Sequence, residues 1–204
     1  MTETNPNSRL EAFCDGVFAI AITLLVIDIK LPSSVEVMNT HDFWLALNHT
    51  LPSIFGFILS FVVILITWAN HHAFIKMVNK ASPQFNYANG FLLMTVAFIP
   101  FPTSLVGEYI LTDHAAPAMI VYNAVLALVG FAWLLITWTA LKYGLLKDEK
   151  TTKQVITMRL NGFFAFLFYL LLAVLAIWFP MVSAIITTIT WVFWLIFGIN
   201  LKHE

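Results

Sequence analysis

The sequence has few charged residues. Asp, Glu, Lys and Arg together make up 10% of its 204 residues, whereas soluble domains carry about 25%. Hydrophobic residues make up 60% of the chain, and the formal net charge is −1. So few charged side chains cannot cover a surface that faces water, and the sequence has no basic arm or stripe for nucleic acid. We therefore predict an integral membrane protein without a nucleic-acid partner.

Cysteine and catalytic motifs are scarce as well. The single cysteine, Cys14, excludes an internal disulfide framework. The sequence contains no glycine-rich phosphate loop, no nucleophile elbow and no HExxH motif. We therefore predict no enzyme activity, no catalytic residues, no cofactor and no structural metal site.

Long apolar stretches fill most of the chain. A membrane-spanning helix needs about 20 predominantly apolar residues, and six segments meet this requirement. They are residues 9–31, 43–78, 85–106, 117–143, 153–179 and 181–199. We expect Pro52 to cause a kink or a new helix start in the second segment, and Pro100 and Pro102 to break the last turns of the third.

The fold class that follows is an all-α integral membrane protein with six transmembrane helices. Residues 1–8 are polar and contain no basic residue, unlike a cleaved signal peptide, so we predict a short cytoplasmic tail. Residues 9–204 then form a single six-helix transmembrane domain. Nine of the ten Lys and Arg residues fall on one side of this layout and only Lys30 on the other. This asymmetry predicts a multi-pass protein of the cell membrane with both termini in the cytoplasm.

The first segment differs from the later ones because it carries three carboxylates. Glu11, Asp15 and Asp28 lie within a stretch that is otherwise apolar enough to enter a bilayer. An ionisable side chain in the hydrocarbon region is costly and marks a candidate functional site. Such a carboxylate must find a partner inside the protein, so we expect the side of the helix that carries Asp15 to pack against other helices.

The opposite side of the first helix is apolar apart from one hydroxyl. Thr23, Leu24 and Ile27 lie within about 60° of Ile20 when each residue turns the helix by about 100°. Asp15 lies about 140° away from Ile20 on the same wheel. A narrow stripe of Ile and Leu suits a lipid-facing side, a helix–helix seam or a hydrophobic pore constriction, and the wheel alone does not choose between them.

A motif at the start of this segment resembles a known family. Arg9, Phe13, Cys14 and Asp15 form the pattern Arg-x-x-x-Phe-Cys-Asp, which runs directly into Gly-Val-Phe-Ala-Ile-Ala-Ile-Thr-Leu-Leu. The pattern resembles the signature of the prokaryotic members of the lysosomal and endosomal potassium channel family, the transmembrane protein 175 type. The family usually has serine at the position of Cys14, and a thiol is a weaker hydrogen-bond donor than a hydroxyl.

The resemblance implies a leak-type, potassium-selective cation channel that has no carbonyl-lined filter. It further implies a homotetramer in the lipid bilayer, in which the first helices line a central pore for monovalent cations and K⁺ is the permeant ion. Ile20, Leu24 and Ile27 match the apolar constriction by position, and Thr23 matches a hydroxyl layer within it. The residues that match the network holding the pore helix are Arg9, Phe13, Asp15, Trp68, Asn70, His71 and His72.

The two adjacent histidines in that network are the most conspicuous candidates outside the first helix. His71 and His72 point about 100° apart on a helix, so they cannot bind one metal ion together as an i, i+4 pair would. We expect one of them to pair with Asp15 or with an amide such as Asn70 or Asn89. The other is expected to face the membrane interface.

Two further carboxylates lie close to the end of the first segment, and two other functions remain open for the chain. Asp28 and Glu36 lie at the expected outer mouth, where they would raise the local cation concentration or act only as solvated charges. The alternative function is a proton- or ion-coupled membrane transporter that uses Asp15, Asp28 and the histidines as a relay. A third is a non-transport scaffold, in which the apolar stripe around Ile20 is a packing seam.

Overall fold

The computed structural model describes residues 6–27, 29 and 37–200, with side chains through Ile196. All named elements in this part of the chain are helices, as the six apolar segments predict. The helices are α1 Ser8–Leu24, α2 Thr40–His49, α3 Leu51–Met77, α4 Pro83–Ala97, α5 Pro100–Tyr109, α6 Ala115–Lys142, α7 Glu149–Leu175 and α8 Pro180–Asn200. Asp28, Lys30 and Glu36 lie outside the described residues, as do the last four residues of the chain.

The eight helices form the six hydrophobic segments that the sequence predicts, because proline divides two of the segments. Only Thr50 separates α2 from α3, and Pro52 lies in the first turn of α3. Pro100 begins α5 directly after the two-residue break that ends α4. Proline suits the first turn of a helix because its missing N–H would be unpaired there. The expectations of a new helix start at Pro52 and a break at Pro100 are confirmed, whereas Pro102 lies within the first turn of α5 and does not break it.

Among the described residues, four segments are long and apolar enough to cross a membrane. They are Thr40–Met77, Pro83–Tyr109, Ala115–Lys142 and Glu149–Leu175. The described apolar part of α8, Pro180–Ile196, is shorter, and α1 has 17 residues. The sequence predicts a first helix that continues to residue 31, whereas in the structure α1 ends at Leu24.

The chain beyond Leu24 continues in tighter turns. The amide of Ile27 donates to the carbonyl of Leu24 at 3.1 Å, and that of Ile29 donates to Val26 at 3.2 Å. Bonds to the third preceding residue are typical of the narrower turns at helix ends. Val26, Ile27 and Ile29 are β-branched, which lowers helix propensity. The apolar stripe of α1 therefore extends past the last α-helical residue.

The interior and the surface follow the pattern expected in lipid. Side chains such as Phe164 and Leu171 on α7 and Ile189 on α8 are exposed although they are large and apolar. The buried polar side chains include Asn123, whose amide donates to the hydroxyl of Ser183 at 3.0 Å. Polar groups inside and apolar groups outside indicate a bundle whose outer surface meets hydrocarbon.

The helices α6 and α7 form a tightly packed hairpin. A Cβ atom placed on Gly130 of α6 would lie 2.7 Å from the backbone nitrogen of Phe166 on α7. Gly162 of α7 lies against the same stretch of α6, where the Gly130 carbonyl oxygen is 3.4 Å from its hypothetical Cβ. The two backbones approach so closely because glycine leaves room for them, as at other membrane helix interfaces. α1 lies elsewhere, against α3 and α4.

Candidate functional site on the first helix

The helix α1 has one covered and one uncovered side. Cys14, Phe18, Ala21 and Leu25 are each 1% exposed and face the bundle. On the other side, the exposed fractions are 61% for Phe13, 61% for Ile20, 41% for Leu24 and 72% for Ile27. We call this the uncovered side of α1; its residues are Arg9, Phe13, Gly16, Ile20, Thr23, Leu24 and Ile27. An apolar side of this length, which its own subunit leaves open, must face lipid, another subunit or a pore.

Thr23 is the one residue with a side-chain hydroxyl on this uncovered side. Its Oγ1 donates to the carbonyls of Ile20 at 2.9 Å and Ala19 at 3.0 Å. Because the hydroxyl hydrogen points back into the helix, the oxygen presents lone pairs to its surroundings. Thr23 is therefore suited to accept from, or coordinate, a positive group in front of α1.

Asp15 finds its partner on α3. The indole Nε1–H of Trp68 donates to Oδ1 of Asp15 at 2.8 Å. The ring of Trp68 in turn stacks on His72, with centroids 5.8 Å apart and an interplanar angle of 24°. The expectation that the Asp15 side packs against other helices is confirmed, since this carboxylate is half-buried and hydrogen-bonded within the subunit.

Cys14 is linked to both neighbouring helices through Asn89 of α4. The amide Nδ2 of Asn89 donates to Sγ of Cys14 at 3.2 Å, and its Oδ1 lies 2.7 Å from Nε2 of His71 on α3. Since Oδ1 can only accept, Nε2 of His71 carries the hydrogen. Cys14, His71 and Asn89 are almost completely buried. The thiol thus serves as an acceptor. Its weakness as a donor therefore does not interrupt the hydrogen bonds from Cys14 through Asn89 to His71.

These contacts form two sets of hydrogen bonds, Asp15–Trp68 and Cys14–Asn89–His71, which we together call the anchoring network. It joins α1 to α3 and to α4, and His71 pairs with Asn89 rather than with Asp15. The network lies on the covered side of α1, opposite Ile20. Its hydrogen bonds hold the helix in place without involving the uncovered side.

Three residues of the family motif lie away from this network. Arg9, Phe13 and Asn70 are exposed, whereas the motif predicts them among the residues that hold the helix. The reason is geometric, because Arg9 and Phe13 lie within about 20° of Ile20 on the helical wheel. In a single subunit they belong to the uncovered side.

Asn7 is a functional candidate that the sequence pattern does not reveal. We expected residues 1–8 to form a tail, yet Asn7 is 3% exposed and α1 begins at Ser8. Its Nδ2 donates to the carbonyl of Val78 at 2.9 Å, and its Oδ1 accepts from the amide of Ala81 at 3.0 Å. Asn directly before a helical pattern is a typical N-cap, so the start of α1 can be predicted from the sequence. The contact of Asn7 with a distant turn cannot.

Metal chemistry finds little support in the described part of the chain. No group of three His, Cys, Asp or Glu side chains that could hold a metal ion occurs among these residues. His71 is directed to Asn89, while His72 lies against Trp68. The two histidines therefore have separate structural partners.

Together, these features define a class of protein. Long apolar helices, an apolar outer surface and buried hydrogen-bonded polar side chains define a polytopic helical membrane protein. A family model described as "Endosomal/lysosomal potassium channel TMEM175" matches residues 9–100. The chain belongs to the TMEM175 family, which is a family of ion channels and not of enzymes.

Curated relatives and a solved structure support this assignment. A potassium channel from Chamaesiphon minutus is 44% identical over 123 residues, which span 60% of each chain. A potassium channel from Streptomyces collinus is 38% identical over 72% of this chain and 70% of its own length. The crystal structure of a lysosomal potassium-selective channel TMEM175 homolog from Chamaesiphon minutus matches with a TM-score of 0.83 and 32% identity, covering 94% of this chain and 97% of that one.

Proposed function

We propose that this chain is a subunit of a potassium-selective leak channel whose pore is lined by α1. The observation that carries the proposal is the uncovered side of α1, where Ile20 and Ile27 are more than half exposed while the opposite side is fully packed. Membership of the TMEM175 family supports it, as do relatives named potassium channels. From the family resemblance we further infer a homotetramer, in which four copies of α1 around one axis would cover all these apolar sides at once.

The chemistry of the proposed pore follows from its side chains. Rings of Ile20, Leu24 and Ile27 offer an ion nothing to replace its hydration water, so a narrow ring blocks conduction by dewetting. Thr23 supplies oxygen lone pairs between these rings. The larger K⁺ ion loses water at a lower cost than Na⁺, which gives selectivity without a carbonyl-lined filter. K⁺ is the permeant ion, and we propose that conduction requires no bound cofactor.

The proposed orientation places both termini in the cytoplasm of a cell-membrane protein. The distribution of Lys and Arg supports this orientation through the positive-inside rule. Asp28 and Glu36 then lie at the outer mouth, where their charge would attract cations. Neutralising both should lower the K⁺ current at low ionic strength more than at high ionic strength, since salt screens exposed charges.

Recordings from purified protein in planar bilayers, together with fluxes into liposomes, test the proposal. We expect single-channel current steps and a K⁺ flux that exceeds the Na⁺ and H⁺ fluxes. Leu24→Ala should widen the constriction and raise the current several-fold, with a lower K⁺ to Na⁺ ratio. The matched control is Leu171→Ala, which truncates an exposed leucine on α7 and should leave the current unchanged.

Two outcomes would contradict the proposal. A saturable flux without current steps, coupled to protons and abolished by changes at Asp15 or the histidines, would indicate the transporter instead. A Leu24→Ala protein that loses stability but keeps wild-type currents would place the uncovered side of α1 at a packing seam.

A further inference from the structure

We propose that Asn7 is a positioning residue that sets the tilt of the pore helix through contacts at the start of α1. We call these contacts the inner clamp and define it as Asn7, residues 77–81 of the α3–α4 turn and residues 145–147 of the α6–α7 loop. The proposal rests on the proposed function, because it assumes that α1 lines the pore.

The side chain of Asn7 does not cap its own helix. The Asn7 carbonyl accepts from the amide of Glu11 at 2.9 Å, which makes Asn7 the N-cap residue. An Asn at this position normally turns its side chain to a free amide of the first helical turn. Here the side chain makes no such bond and reaches the α3–α4 turn.

The contacts of this side chain use both its donor and its acceptor groups. Its Nδ2 donates to the carbonyl of Val78 at 2.9 Å and lies 3.4 Å from that of Asn79, while its Oδ1 accepts from the amide of Ala81 at 3.0 Å. With 3% of its surface exposed, Asn7 is shielded from water that could replace these bonds. The residue directly before α1 is thus joined to a turn more than 70 positions away.

The same turn is held from its other side by the α6–α7 loop. Val78 and Leu146 form an antiparallel bridge. The amide of Asn79 donates to the carbonyl of Leu145 at 2.8 Å, and the amide of Lys147 donates to that of Met77 at 3.1 Å. Gly144, with φ at 59°, allows the chain to leave α6 and enter this pairing. Hydrogen bonds therefore connect the α6–α7 loop to the α3–α4 turn, and that turn to Asn7.

Two attachments fix the orientation of α1 better than one. The inner clamp holds the helix at Asn7, and the anchoring network holds it near Asp15, about 12 Å along the axis at a rise of about 1.5 Å per residue. Leu24 lies about 14 Å beyond Asp15 on the other side of that network. Without the clamp, the start of α1 loses its side-chain tie to the α3–α4 turn, and a shift of that start tilts the helix about Asp15 and moves Leu24 in the opposite direction.

The test separates positioning from stability by using serine. Asn7→Ser keeps a good N-cap residue, but its side chain is too short to reach the carbonyl of Val78. We expect the protein to fold and assemble normally, whereas its open probability or K⁺ to Na⁺ permeability ratio changes by about 2- to 30-fold, the range for residues that couple to a distant site. Asn86→Ser on α4, an exposed Asn close to the same turn, is the matched control and should leave both quantities unchanged.

A second variant tests the other half of the inner clamp. Gly144→Ala introduces a side chain where φ is 59°, which should displace the α6–α7 loop and change the pore in the same direction as Asn7→Ser. The double variant should add little to the larger single effect, because both changes break one chain of contacts.

The outcomes distinguish the clamp from the pore itself. If Leu24→Ala alters the current while folded Asn7→Ser or Gly144→Ala conducts like the wild type, the clamp proposal is wrong and the proposed pore stands. If Leu24→Ala has no effect on conduction, the pore proposal fails first. Loss of folding in both clamp variants would also overturn the inference, since the clamp would then stabilise the fold and not position the helix.

Discussion

The helix α1 and the α6–α7 hairpin are held in the bundle by different means. In the hairpin, glycines let two backbones touch, so that a Cβ at Gly130 would lie 2.7 Å from a backbone atom. α1 has no comparable contact, and its Gly16 has open space around it. It is held by directional bonds such as that from Trp68 to Asp15. Close backbone packing fixes a rigid wall, whereas hydrogen bonds on one side leave the other side of a helix available.

The largest effect is expected when a substitution forces the two helices of the α6–α7 hairpin apart. Gly130→Ala places a methyl group against the backbone of α7, which cannot move as a flexible side chain would. We expect a loss of about 3 kcal/mol of stability, in the range of overpacked cores, seen as a lower melting temperature and poor yield in detergent. Gly90→Ala on α4 is the control, since nothing lies within 4 Å of its Cβ position. Equal melting temperatures for the two variants would refute the close approach.

A smaller effect is expected when the anchoring network loses one partner. Asp15→Ala leaves Nε1 of Trp68 without its acceptor, which should cost about 1–3 kcal/mol and reduce the assembled fraction in size-exclusion chromatography. Asp113→Ala, at an exposed loop position, should have no effect on assembly. An Asp15→Ala protein that assembles normally and loses only proton coupling would favour the transporter.

The smallest effect concerns the cap at the start of α7. The side chain of Asp148 accepts from the amide of Thr151 at 2.7 Å, and this bond lowers the pKa of the Asp148 carboxyl below its usual value of 3.8. The cap therefore contributes stability above that pH and loses it as the pH falls through the lower pKa of the folded state. Melting temperatures between about pH 5 and pH 2 should fall more for the wild type than for Asp148→Asn, because an amide caps without titrating. Parallel curves would contradict this assignment.

Much of the fold could be predicted from local patterns. Apolar runs of sufficient length gave the six segments, and Pro52 and Pro100 gave the two breaks because proline acts within its own turn. The separation of Asp15 from Ile20 followed from helical geometry alone. The resemblance to the family added the network residues, of which the structure brings Asp15, Trp68 and His71 together with Asn89 and Cys14.

Features that depend on contacts between distant parts of the chain could not be predicted from the sequence. Asn7 was expected in a tail because nothing in its neighbourhood indicates that Val78 and Ala81 lie beside it. Phe13 and Arg9 were assigned by motif membership, although their wheel positions place them with Ile20. The end of α1 at Leu24 depends on a balance between α-helical and tighter turns that hydropathy does not measure.

The orientation of one hydroxyl has a consequence for the sign of the ions that the proposed pore admits. Because the proton of Thr23 is committed to the carbonyls of Ile20 and Ala19, the ring that four copies would form offers electron density and no polarised hydrogen. An anion at that level would lose its water and gain only repulsion. Chloride would be rejected there by charge, before any discrimination by ionic radius between the alkali metals begins.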